Sequence, residues 1–198
     1  MNLDFFKKIR ILDGGMGQEL LARGMKPNGT LWSANAVLNP DYHKLLLDTH
    51  LDFVKAGAEV IVTTTFTTRR KRLRDNNLED KFEYLNEKAG EIALNVKKHF
   101  PDVMIAGGLP PQNLTYEEDT RSEEEITKDF KEQAGILNPY VDFFYFDVWS
   151  IENTCEITNQ NTYSEPLIAT RVQVRTATKF FIPYKNYKNK LFKIKLIV

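Results

Sequence analysis

The chain has 198 residues, 42% of them apolar and 27% charged, with a formal net charge of zero at pH 7; this is the composition of a globular domain with a real core, not of a disordered or fibrous chain. The start, MNLDFFKKIRIL, lacks an apolar stretch ending in small residues, and no later segment approaches the roughly 18 apolar residues of a membrane span, so a cytoplasmic protein with no membrane attachment is expected. The single cysteine, Cys155, excludes an internal disulfide framework and any zinc site built from several thiolates of this chain.

The first β-rich run, IRILDGG (9–15), ends in an acid and two glycines, Asp13, Gly14 and Gly15. A helix start follows at Asn39-Pro40, and over 43–54 the residues His43, Leu46, Leu47, His50, Leu51 and Val54 fall on one face. The second run, AEVIVTTTF (58–66), ends in Thr63, Thr64 and Thr65. Asn77 then precedes LEDKFEYL as a helix start, and Phe82, Leu85, Ala89, Ile92 and Val96 form the next apolar face. DVMIAGG (102–108) is the third run. Ser122 with Glu125 three residues on is a capping box. VDFFYFDVW (141–149), ending near Asp147, and PLIATRVQV (166–174) complete the series.

Strand and helix in alternation imply parallel pairing. Runs such as EVIV and FFYF are apolar throughout, as strands covered on both faces must be, which predicts an α/β fold, either a barrel or a doubly wound sheet. Both put their site at the C-terminal strand ends. Asp13, Thr63, Thr65, Gly107 and Asp147 should therefore share one rim. Gly14, Gly15 and Gly17 lack the GxGxxG order and later acid of a dinucleotide site. Each residue also has a plain structural reading. Asp13 can cap the following turn, Thr63 and Thr65 are ordinary strand residues, and His43 and His50 suit a core or interface better than a metal. The acids of EEDTRSEEE (117–125) suit a solvated loop and helix start, and Cys155 a small apolar side chain.

Neutral net charge conceals an asymmetry. Residues 166–198 carry eight basic residues and no acid, which leaves an acid excess of eight in the rest. Charge with interleaved aromatics is weak evidence for nucleic acid or an anionic membrane, and neither partner is expected. The stretch 175–198 reads as a basic tail that does not continue the preceding pattern, as a frameshift or truncated reading frame produces.

ILDGGMGQELLARG, LWSANAVLNPD, HLDFVKAGAEVIVTTTF, IAGGLPP and FFYFDVWSIENTCE, in that order and spacing, resemble the N-terminal half of the homocysteine S-methyltransferase family over residues 9–174. The resemblance implies a (β/α)8 barrel that transfers a methyl group to the sulfur of homocysteine, with zinc binding that sulfur through cysteines near the last strands. Two positions depart from the family's usual residues: Asp147 stands for Glu and Thr64 for Asn. About five βα units are visible where a barrel needs eight in about 250 residues. The expected fold is thus an incomplete TIM-type barrel over 1–174, lacking the cysteine ligands of the zinc.

The resemblance, with the chemistry of an amino-acid substrate, assigns Asp13 and Asp147 to the ammonium, the Gly14-Gly15 backbone to the carboxylate, and Thr63 and Thr65 to orienting contacts. No catalytic residue is assigned. Homocysteine and a methyl donor are the expected partners, the donor itself being open. The competing expectation is an inactive fragment that self-associates through open barrel edges or pairs with a complementary half-barrel. A lyase or aldolase is disfavoured, because no lysine stands at a strand end to form a Schiff base.

Overall fold

The computed structural model describes residues 3–113, 115, 119–149 and 168–172. The 3-10 turn Leu3–Lys7 precedes α1 (Met16–Ala22), α2 (Ala34–Leu38), α3 (His43–Lys55), β1 (Val60–Val62) and α4 (Arg70–Arg74). Next come α5 (Phe82–Asn95), β2 (Met104–Leu109), α6 (Glu123–Leu137), β3 (Phe143–Trp149) and β4 (Ile168–Val172). Cys155 and the tail 175–198 lie outside the described residues.

Local chemistry sets the helix ends. The side chain of Asn39 accepts from the Asp41 amide before the turn Pro40–Tyr42 that leads into α3. At the far end, Gly57 takes a left-handed φ of 112°. That lets Ala58 N–H reach back to Phe53 C=O at 3.0 Å and close the helix. The Ser122 capping box is formed, with Glu125 N–H donating to Ser122 Oγ and the Glu125 carboxylate accepting from Ser122 N–H. Asn77 departs from its expected role. It adopts a left-handed φ of 56° and ends the α4 turn, since asparagine tolerates that region, and the next helical turn begins after Leu78.

The four strands are parallel and pair in chain order, β1-β2-β3-β4. Val60 aligns with Met104, Ala106 with Phe143, and Phe144 with Ile168. A doubly wound sheet reverses its order at a switch point; no reversal occurs among the described strands. The expected strand at 9–15 is a correction. It contributes one parallel bridge, Leu12 to Val60. The run before the glycine turn is short, and Ile9 and Ile11 are 55% and 51% exposed, so little burial drives a longer ladder.

Strands β1 to β3 carry apolar side chains on both faces. Ile61 and Ile105 pack outward on Ala93 and Val96 below α3 and α5, while Leu109, Phe144 and Phe146 pack outward on Leu137 and Phe130 of α6. The inner face carries Val60, Ala106, Phe143 and Tyr145, closed by Phe6, whose ring meets Phe143 edge to face at 5.0 Å. Nearer the end of β3 the inward position is an acid, Asp147. Two acids lock the opposite end by one device. Glu59 and Asp142, each just before a strand, accept from the amides of Ile11 and Ile105 on the neighbouring run and pair with Arg10 and Lys97.

Gly108 is packed tightly against the end of β1: a Cβ there lies 2.9 Å from Val62 Cγ1 and 3.2 Å from Thr63 C=O. Gly135, exposed within α6, has no atom within 4 Å of such a Cβ. We expect opposite signs in urea unfolding. Gly108→Ala lowers stability by about 1–3 kcal/mol through overpacking, and Gly135→Ala raises it by roughly 0.5–1 kcal/mol through helix propensity.

Candidate functional site

A cavity of about 300 Å³ opens at the C-terminal strand ends. It gathers residues from four parts of the chain: the turn Asp13-Gly14-Gly15 with the start of α1, the Trp32-Ser33 turn, Val62 to Thr64 with Phe66, and Tyr145 with Asp147 on β3. Among the described residues, no lysine or arginine lines it.

Asp13 comes from the bridged run, and its Oδ2 accepts from Val62 N–H on β1 at 3.1 Å. It is buried, and that burial, with the charge of Asp147 adding to it, holds its carboxyl well above the usual carboxylate range; the backbone hydrogen bonds act in the opposite direction. Among the described residues, no cation is among the groups acting on it. His50, fully buried on α3, faces it with Nδ1 3.8 Å from Oδ2. Burial lowers the His50 pKa to about 3, so the ring is neutral.

The three threonines have different tasks. Thr65 donates to Gly108 C=O at 2.6 Å, and Gly108 N–H donates to Thr63 Oγ1 at 2.9 Å. With the Thr65 proton committed, the 2.9 Å contact between the two hydroxyls is donated by Thr63. Both hydroxyls are thus used in tying β1 to β2. Thr65 is fully buried and stands behind the cavity wall; Thr63 forms part of it. Gly107 also points away from the cavity, since a Cβ there lies 2.6 Å from the Phe144 ring on the helix-facing side. Thr64 lines the cavity and meets His50 Nε2 at 3.3 Å.

From behind, a buried amide chain steadies this loop. Gln133 of α6 donates to Asn86 of α5 at 2.9 Å, and Asn86 accepts the Thr68 hydroxyl at 2.8 Å. The Arg69 guanidinium is buried too, and donates to Phe66 C=O, Asn113 C=O and the Thr115 hydroxyl, which binds the loop after β1 to the loop after β2.

Trp32 is a site residue that sequence reasoning misses. Its backbone has φ of +50°, costly for a bulky residue. Thr67 holds it there, donating to Leu31 C=O at 2.7 Å and accepting from Ala34 N–H at 3.1 Å. The indole Nε1 occupies the space over Gly17, only 1.6 Å from where a Cβ would sit. The lone legible signal is the unpatterned aromatic in GTLWSANA; nothing in the sequence joins it to Gly17. His43, by contrast, bonds Val37 C=O at 2.8 Å and has a local structural role.

Among the described residues no group of three or more His, Cys, Asp or Glu is placed to hold a metal ion. The lining supplies two carboxylates and neutral groups, and the sequence has one cysteine. This donor set does not fit a zinc held by several thiolates.

Two stability measurements test these assignments. Thr65→Val leaves Gly108 C=O without its donor and the Thr63 hydroxyl proton without its acceptor, and is expected to cost about 1–3 kcal/mol in denaturant unfolding. Asp13 has a raised folded pKa, so its stabilising contribution is full below its unfolded value near 3.8 and is lost as pH rises through the folded value. Asp13→Asn should therefore melt above the wild type at neutral pH, with the gap closing as pH falls toward 3.8. The His50 slope has the opposite sign, present above about 6.5 and lost as pH falls toward 3, and should persist in that variant.

A family model described as homocysteine S-methyltransferase matches residues 10–179. Among curated relatives, homocysteine S-methyltransferase 2 of Zea mays is 33% identical over 104 residues, which is 52% of this chain and 30% of that protein. Betaine–homocysteine S-methyltransferase 1 of Sus scrofa is 32% identical over 160 residues, 73% of this chain and 55% of that protein. The match spans between about a third and about half of these relatives' length. In fold, the chain is similar to the metallated form of the Escherichia coli homocysteine methyltransferase, with a TM-score of 0.62 at 24% identity over 71% of this chain and 54% of that one. The family match covers most of the chain and includes every run that lines the cavity: the chain belongs to the homocysteine S-methyltransferase family.

Proposed function

We propose that this chain carries the amino-acid-holding part of a homocysteine S-methyltransferase site, on part of a (β/α)8 barrel wall. The observation that carries the reading is the buried Asp13 carboxyl beside Asp147, in a cavity with no lysine or arginine among its described lining residues. Ionising Asp13 is unfavourable without a nearby cation, and an entering ammonium supplies that positive charge, so ligand binding and Asp13 ionisation reinforce one another. Asp147 adds negative potential on the same side. The amides at Gly14, Gly15 and Met16, where no side chain caps α1, suit the ligand carboxylate. Thr63 and Thr65 contribute by fixing the wall.

The sulfur is another matter. A thiol of pKa about 8.5 must lose its proton before it accepts a methyl group. In the family reading, thiolate-bound zinc does this, and these residues do not fit that zinc; no step is assigned to it. The chain by itself therefore binds homocysteine without methylating it. Titration calorimetry of the full chain with L-homocysteine under reducing conditions should show binding that Asp13→Asn weakens tenfold or more, and incubation with S-methylmethionine or betaine should yield no methionine. Equal affinity in the variant, or methionine formed by the chain alone, overturns the proposal.

A second reading, an inactive self-associating chain, is favoured by exposed Ile9 and Ile11 on a run held by a single bridge. Sedimentation separates the two: homocysteine binding by a monomer supports the first, and assemblies without binding the second.

A further inference from the structure

We propose that His50 is the positioning residue for Asp13: a neutral, buried imidazole that donates from Nδ1 to the Asp13 carboxylate when a ligand ammonium enters, while the Thr64 hydroxyl donates to the Nε2 lone pair. The inference rests on the reading of Asp13 as the ammonium's partner, and its geometric basis is independent of that reading. His50 has no exposed surface, and its Nδ1 is buried with no hydrogen-bond partner among the described residues. An unpaired buried nitrogen costs about 1–3 kcal/mol, so its persistence calls for a reason. The atom nearest in charge and kind is Asp13 Oδ2, at 3.8 Å. Closing that gap to a hydrogen bond of about 2.8–3.0 Å takes a shift of about 1 Å.

Donor and acceptor accounting selects the tautomer. A neutral imidazole has one N–H and one lone pair. Thr64, 3.3 Å from Nε2, can play either part, whereas an ionised Asp13 can only accept. Only the Nδ1–H form satisfies both neighbours; the Nε2–H form points a lone pair at the carboxylate. Oδ2 already accepts Val62 N–H at 3.1 Å, so His50 brings a second donor to the same oxygen. Because the ring is uncharged, it supports the carboxylate without supplying the counter-charge, which is left to the ligand. A lysine at this position would neutralise Asp13 internally and remove the demand for an ammonium. Thr64 links the two sides, since it lines the cavity while holding the ring.

Among the described residues, the ionisable groups that face Asp13 or share its cavity are Asp147 and Tyr145 on β3 and His50 on α3; α1 presents Met16, Gly17 and Gln18, and the adjoining turn presents Trp32 and Ser33, none of them charged. The test uses the full chain with and without L-homocysteine, as wild type, His50→Phe, His50→Asn, whose amide N–H lies near the Nδ1 position, and Thr64→Val. Imidazole ¹⁵N spectra of the homocysteine-bound wild type, and of the free protein above the Asp13 midpoint, should show the Nδ1–H tautomer, with a displaced Nε2 resonance in Thr64→Val, which loses the hydroxyl that donates to it. The Asp13 carboxyl, followed by ¹³C, should titrate about half a unit or more higher in His50→Phe than in wild type and return in His50→Asn. Homocysteine affinity should fall about tenfold in His50→Phe and recover in His50→Asn. An Nε2–H ring in both free and bound protein, or an Asp13 midpoint equal in wild type and His50→Phe, overturns the proposal. If His50→Phe does not fold, His50→Asn and Thr64→Val carry the comparison. Absence of homocysteine binding in wild type defeats the binding reading alone, and the tautomer and the Asp13 midpoint still decide the role of His50.

Discussion

The geometry of this chain turns on one buried carboxyl group. Asp13 leaves the bridged run at the point where pairing stops, and the Val62 amide of the neighbouring strand reaches its oxygen. Keeping an acid there requires walls that exclude water on one side and an opening on the other. The walls are the apolar inner layer of Phe6, Val60, Ala106, Phe143 and Tyr145 beneath it and helix α3 behind it. The opening is the cavity at the strand ends. Burial opposes the charged form, and Asp147 opposes it further, so the Asp13 charge calls for a cation beside it.

Such a site works only if its parts do not drift, and the polar contacts behind it serve that purpose. Gly108 exchanges hydrogen bonds with Thr63 and Thr65, so β1 and β2 cannot slide without breaking buried partners. Asn86 and Gln133 extend the same lattice outward to α5 and α6. Arg69 ties two consecutive loops by carbonyl and hydroxyl acceptors and lies too deep to serve as a ligand's counter-ion. The strained backbone of Trp32 is a further sign that the rim is held in place: Thr67 clamps the turn from both ends, and the indole lies over a residue with no side chain.

Much of this is legible in order along the chain. The apolar run before TTT marks the end of β1, the acids of DGG and FD mark positions that reach the cavity, and the capping box at Ser122 and the turn after Asn39 are readable from single side chains and their spacing. The run at 9–15 promises more strand than it forms, because β propensity does not report that an edge has too little burial to extend a ladder. Asn77 misleads for a related reason: asparagine serves both as a cap and as a left-handed turn residue, and the choice depends on how α4 meets the helical turn beyond Leu78.

By itself, the sequence determined the alternation of parallel strands and helices, the residues at the strand ends and the family to which they belong, since periodicity and residue spacing are local properties that survive without coordinates. The tertiary structure alone decided which of those residues meet. It placed Asp13 against a histidine 37 positions away, withdrew Thr65 and Gly107 from the cavity while leaving Thr63 in its wall, and brought in Trp32 and Tyr145. The reason is directional: neighbouring positions on a strand point to opposite faces, and whether a hydroxyl is free or already bonded depends on a partner from a distant strand.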